Sequence, residues 1–189
     1  MTAVPLAPEV ASMPSHIRSF STLLRRFRRD RGGSAVVEFA MVAPMFFALL
    51  FAIIETALMF FASQVLETVT QDSARQIMTG QAQNAAFTQA QFKTLVCSKV
   101  AAMFDCNGIS VDVQSYTQFN NVNVANPIDA SKNFTDPNNY KPGGPGDIVV
   151  VRLFYQWPIL VTKFGYDITN LAGSKRLLTA TAAFQNEPY

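Results

Sequence analysis

The residues that could do chemistry in this chain are few, and their placement says more than their number. Glu38 stands at the mouth of a long apolar run, five residues beyond Gly33 and followed by Phe39. Glu55 sits inside the run's far half, and Cys97 and Cys106 are the only cysteines. The single histidine, His16, lies far upstream among Pro5, Pro8 and Pro14, in a stretch with no periodic apolar face that composition reads as disordered. Downstream of Gly33 there is therefore no imidazole, which removes the usual general base and the commonest neutral metal ligand. No Ser-His-Asp set, phosphate loop, metal cluster or carboxylate pair at motif spacing occurs, so the sequence reads as non-enzymatic and without a cofactor. Asp129, Asp136 and Asp147 could supply oxygen ligands to calcium, but they lack regular ligand spacing and read as solvated loop residues.

The element that positions Glu38 and Glu55 is the apolar run Ala40 to Ala62, 23 residues interrupted once by Glu55 and Thr56. At ~1.5 Å per residue it is about 35 Å of helix, longer than a bilayer core of ~30 Å. Pro44 removes one backbone hydrogen bond and is expected to bend the helix. Arg18, Arg25, Arg26, Arg28, Arg29 and Arg31 precede the run, opposed there by Asp30 and, further out, Glu9. Positive charge beside a span keeps its flank cytoplasmic, so residues after the run face the periplasm or the outside. That position makes topology, not nucleic-acid binding, the reading of the arginines. Arg25-Arg26 lacks the hydrophobic context of a twin-arginine export signal.

A secretory signal peptide has a shorter apolar region and a small-residue cleavage site after it. Here the run ends Phe60-Phe61-Ala62-Ser63-Gln64, and the small residues Gly32-Gly33-Ser34 lie before it. A glycine followed five residues later by Glu and an aromatic, at the membrane entrance, is the pattern of a prepilin processing site, cut after Gly33 to leave Ser34 as the new amino terminus. A carboxylate near hydrocarbon is costly. At Glu38 the freed α-amino group of Ser34, in the same or a neighbouring subunit, would offset that cost; the alternative is a headgroup position where solvation costs little. Glu55 either pairs with another subunit's cation or marks the outer boundary, the second reading being preferred.

The segment Arg31 to Pro44 (Arg-Gly-Gly-Ser-Ala-Val-Val-Glu-Phe-Ala-Met-Val-Ala-Pro) resembles the start of the TadE-like family, minor pseudopilins of the tight-adherence (Flp, type IVb) pilus system. The ending Thr179 to Tyr189 also resembles that family's. The resemblance implies a pilus-assembly subunit involved in adherence and processed by a prepilin peptidase. It would sit once through a bacterial inner membrane, with its N-terminus cytoplasmic and its C-terminal domain periplasmic. Its partners would be other pilins or pseudopilins, the inner-membrane assembly platform and the lipid bilayer, with no nucleic acid. An uncleaved, single-pass periplasmic assembly adaptor is the alternative.

The expected organisation is a cleaved leader over 1–33, a long helix over 34–79 spanning the membrane at about 40–62, and a periplasmic domain over 80–189. Beyond Ala62 the helix turns amphipathic, with Val65, Leu66, Val69 and Ile77 apolar and Asp72 and Arg75 at an i,i+3 ion-pair spacing, and Gly80 stops it. Thr88 and Gln91 have capping-box spacing and Phe87 and Phe92 staple spacing, so a second helix carries the stripe Phe92, Val96, Val100 and Met103. In an oxidising periplasm Cys97 and Cys106 are expected to pair, worth about 2–3 kcal/mol in the chain-entropy model. Strands are expected over Ile109 to Tyr116, Asp147 to Trp157 and Arg176 to Gln185. The middle one, apolar on nearly both faces, reads as central, with Arg152 emerging on one side. Phe119 to Gly146, rich in Asn, Pro and Gly, reads as a long surface loop, and Pro158 to Leu171 as an apolar connection open to membrane, partner or core. The fold class is α+β: a long membrane-spanning spine helix, a second helix and a small three-stranded antiparallel sheet, pilin-like in plan.

Overall fold

The computed structural model describes Arg25 and residues 33–100 and 102–189. It divides into an N-terminal unit, residues 1–46, and a second unit, residues 47–189. Helix α1, Ser34–Met78, begins in the first and continues in the second, running through Pro44 without interruption. Its large apolar side chains are exposed from Val36 as far as Leu58, and one face then becomes buried at Met59, Ala62, Leu66, Val69, Ser73 and Ile77. The spacing of three and four residues is that of a single helical stripe. The second half of α1 is thus a core element.

Gly80 ends α1 in the left-handed region, φ 75°. The Tyr189 ring lies where a side chain at this position would project, a Cβ there meeting Tyr189 Cγ at 2.3 Å. Glycine is required twice over, by backbone and by contact. A single helical turn, α2 (Gln81–Asn84), leads to α3 (Gln89–Val100). The capping box forms as its spacing demands: Thr88 N–H donates to Gln91 Oε1 at 2.8 Å and Gln91 N–H donates to Thr88 Oγ1 at 3.3 Å. Phe92, Val96 and Val100 are buried, and Phe87 and Met103 pack against their cluster.

Three antiparallel strands follow in the order β1 (Ile109–Tyr116), β2 (Ile148–Pro158), β3 (Lys175–Gln185). Val151 is registered between Val113 and Ala182. Val111, Val113, Val149, Val151, Leu153, Leu178 and Ala180 join the buried stripes of α1 and α3 in one core cluster. On the opposite face Phe154, Leu171 and Leu177 form a second cluster with Ile128 and Phe134. A strand covered on both faces needs apolar residues at successive positions, which is why β2 lacks alternation.

Three expectations are corrected here. Arg152 does not emerge: it is 3% exposed and paired with Asp112, directly opposite in the β1–β2 register. Its Nε and Nη2 donate to Asp112 Oδ2 at 2.9 and 2.6 Å, and Nη1 donates to the Ala125 carbonyl at 2.9 Å. Asp112 also accepts from Gln114 and Asn139, so its lone pairs are occupied. Second, 119–146 is more than a solvated loop. Ile128 and Phe134 roof the second cluster, and the Val113 N–H and C=O bond to Asn139 and Lys141, covering β1's outer edge. Third, Asp72 makes its ion pair with Lys99 of α3 at 3.4 Å, not with Arg75.

Candidate functional site

The residues singled out for processing and assembly are consecutive on the start of α1. Gly33 is exposed, with open space where a side chain would project. Ser34 is the first residue of the helix. Glu38 and Phe39 follow one turn later, both exposed, Phe39 at 68%. Among the arginines of the basic flank, Arg25 is helical and exposed, while Arg26, Arg28, Arg29 and Arg31 lie outside the described residues.

Cys97 and Cys106 are brought together as a disulfide, Cα–Cα 5.6 Å. It links α3 to the turn Cys106–Gly108, whose start is capped by Asp105 accepting from the Asn107 N–H at 3.0 Å. The bond therefore fixes the helix to the entrance of β1. Among the described residues no group of three His, Cys, Asp or Glu could hold a metal. The three loop carboxylates are apart and each serves its own turn. Asp129 accepts from the Ser131 and Asn133 N–H groups, bonds that hold its carboxyl below the ordinary pKa. Asp136 accepts from Ser110 and Asn138, and Asp147 from Gly144.

Glu55 is the residue whose role sequence reasoning missed. Its carboxylate accepts from the backbone N–H groups of Leu160 and, at 2.9 Å, Val161. These open the 3-10 turn Val161–Phe164, so Glu55 supplies the anion that a turn's free N–H groups attract. One residue on, Thr56 Oγ1 donates to the Ala52 carbonyl at 2.7 Å and lies 3.1 Å from the Tyr166 hydroxyl. The connection after β2 is thereby tied to α1. Ile159 and Val161 turn inward, while Leu160 is 77% exposed. Glu55 thus has partners within its own chain, which neither sequence reading of it included. Only its position, the sole charge within an apolar run, hinted that it has a partner.

What this arrangement offers is an exposed apolar helix and a covalently braced domain, with no convergent catalytic set among the described residues. The helix is long and apolar enough to cross a membrane, with mean hydropathy 2.3 over its best window and none of that window buried in protein. No curated protein and no solved structure matches the chain. The C-terminal stretch Thr179 to Tyr189 falls outside the family match. That match, to the model of the TadE-like protein family, covers residues 33–75, so the stretch that carries the glycine, Glu38 and the apolar helix is TadE-like.

Proposed function

We propose that this chain is the precursor of a minor pseudopilin of a tight-adherence (Flp, type IVb) pilus system. A prepilin peptidase cuts between Gly33 and Ser34, removing the basic leader. Glu38, now the fifth residue, neutralises the new α-amino group and sets the register of the subunit against its neighbours. The arginine flank keeps the leader on the cytoplasmic side, and the disulfide-braced domain faces the periplasm. TadE-like proteins are structural components of pilus systems, and the role assigned to this chain is structural too.

The observation that carries the reading is the coincidence of three boundaries. The family match starts at Gly33, α1 starts at Ser34, and the first carboxylate of the helix stands at Glu38. The test is the N-terminal residue of the membrane-extracted protein, by terminal sequencing or intact mass, in cells with and without the prepilin peptidase. The expected result is a start at Ser34 that requires the peptidase. A start at Met1 or Thr2 in both strains would overturn it and leave an uncleaved anchor.

A further inference from the structure

We propose that the end of β2 and the connection after it, from Trp157 to Tyr166, form a second membrane contact, seated in the outer-leaflet interface beside the span with a phospholipid chain lying in the groove between them. The proposal rests on the membrane-spanning reading of α1 and adds to it a site on the folded domain.

The groove measures about 390 Å³ and is walled by Phe51, Ile54 and Leu58 of α1, by Trp157 and Pro158 at the end of β2 and by Leu160 of the connection. On both walls large apolar groups face outward: Phe51 is 57% exposed, Leu58 52% and Leu160 77%. A contiguous apolar surface of this kind marks an interaction site. Its occupant follows from continuity, because the helical wall is the end of the apolar segment that reads as the span. Sixteen residues separate Phe39 from Glu55, ~24 Å of helix, so a hydrocarbon core of ~30 Å entered at Phe39 ends about four residues past Glu55. The hydrogen bonds from Leu160 and Val161 to Glu55 hold the connection at that same depth.

Two further features suit that depth. Backbone N–H groups near hydrocarbon need an internal acceptor, and Glu55 supplies one to each of the two it meets. Trp157 and Tyr166 are residue types that collect at the membrane–water boundary, where a ring is buried and its polar end stays wet. The Tyr166 hydroxyl meets Thr56 while the residue as a whole remains 39% exposed.

The full chain, reconstituted in vesicles of phosphatidylethanolamine and phosphatidylglycerol, tests this with an environment-sensitive fluorophore on one introduced cysteine, the native pair being disulfide-bonded. Leu160→Cys probes the connection, Leu49→Cys the span and Val124→Cys the water-facing loop. Quenchers are nitroxides placed shallow or deep on the lipid chain, and aqueous iodide. We expect the label at 160 to lose most of its emission to the shallow nitroxide and little to iodide, the label at 49 to respond to the deep nitroxide, and the label at 124 to iodide alone. Quenching of 49 by lipid with 160 open to iodide would overturn the second contact and leave the span standing. Absence of lipid quenching at 49 would overturn the span and the contact with it. A label at 160 shielded from iodide but untouched by lipid nitroxides means a protein surface, such as a second copy, covers the groove, and also overturns the proposal. Trp157 is the only tryptophan, so its own emission gives the same comparison without substitution: loss to the shallow nitroxide is expected, and indifference to it would count against the contact. Glu55→Ala in the Leu160→Cys chain is expected to admit iodide; unchanged shielding would overturn the positioning role of Glu55.

Discussion

At the scale of single residues the most consequential feature is the buried Asp112–Arg152 pair. Two charges this deep contribute mainly through what happens when one is removed. Arg152→Leu strands the Asp112 carboxylate and frees the Ala125 carbonyl, and is expected to lower unfolding free energy by about 3–5 kcal/mol in urea titrations of the detergent-solubilised chain. A loss below about 1 kcal/mol would mean that water reaches the pair. Tyr140 gives a pH signature. Its ring lies 5.7 Å from that of Phe92, its hydroxyl has no hydrogen-bond partner among the described residues, and burial pushes its pKa up to about 12. The folded form holds this proton more tightly than the unfolded chain does, so the associated stability is present below pH ~10 and is lost as pH rises from there toward about 12. Tyr140→Phe is expected to flatten that alkaline decline in thermal melts. At neutral pH it should cost little or stabilise, because the hydroxyl it removes satisfies no partner.

Elements here follow their local chemistry closely, and the disulfide shows where local chemistry needed help. A twelve-residue helix with its capping box and buried stripe must be joined to a strand that runs along the sheet. The Cys97–Cys106 bond holds that junction through a short loop. Cys97→Ser/Cys106→Ser is expected to cost about 2–3 kcal/mol, read as a lowered unfolding midpoint against the oxidised parent. Reduction of the parent should reproduce the shift, and no difference between the two would mean that packing of Phe104 against Tyr155 and Trp157 already fixes the junction.

For the whole molecule the question is how one helix serves two solvents. The stretch exposed from Val36 to Leu58 suits lipid or neighbouring helices, and the stripe from Met59 to Ile77 is core. Under the proposed function, Glu38→Ala leaves the domain folded and the Gly33–Ser34 bond cleavable but is expected to abolish pilus formation, scored by shear-released pilin. Normal piliation by the Glu38→Ala chain would remove the charge-neutralising role.

Much of this was legible in the chain. The helix bounds Ser34 and Met78, the capping box, the disulfide partners, the extent of β1 and the central place of β2 are set by contacts close in sequence or by patterns that admit one arrangement. Periodicity, caps and breakers act over a few residues, so they can be read from a few residues. What only tertiary structure decided are pairings across long separations. Asp112 and Arg152 are 40 residues apart, and either one alone looks like a polar residue on an open face. Asn-, Pro- and Gly-rich composition marked 119–146 as loop but could not say that it would roof a sheet. Glu55 meets the Leu160 N–H 105 residues away, and no local pattern announces a carboxylate that caps a distant turn. Burial and pairing of polar groups depend on which surfaces the fold brings together, and that is where the groove between α1 and the end of β2 came from.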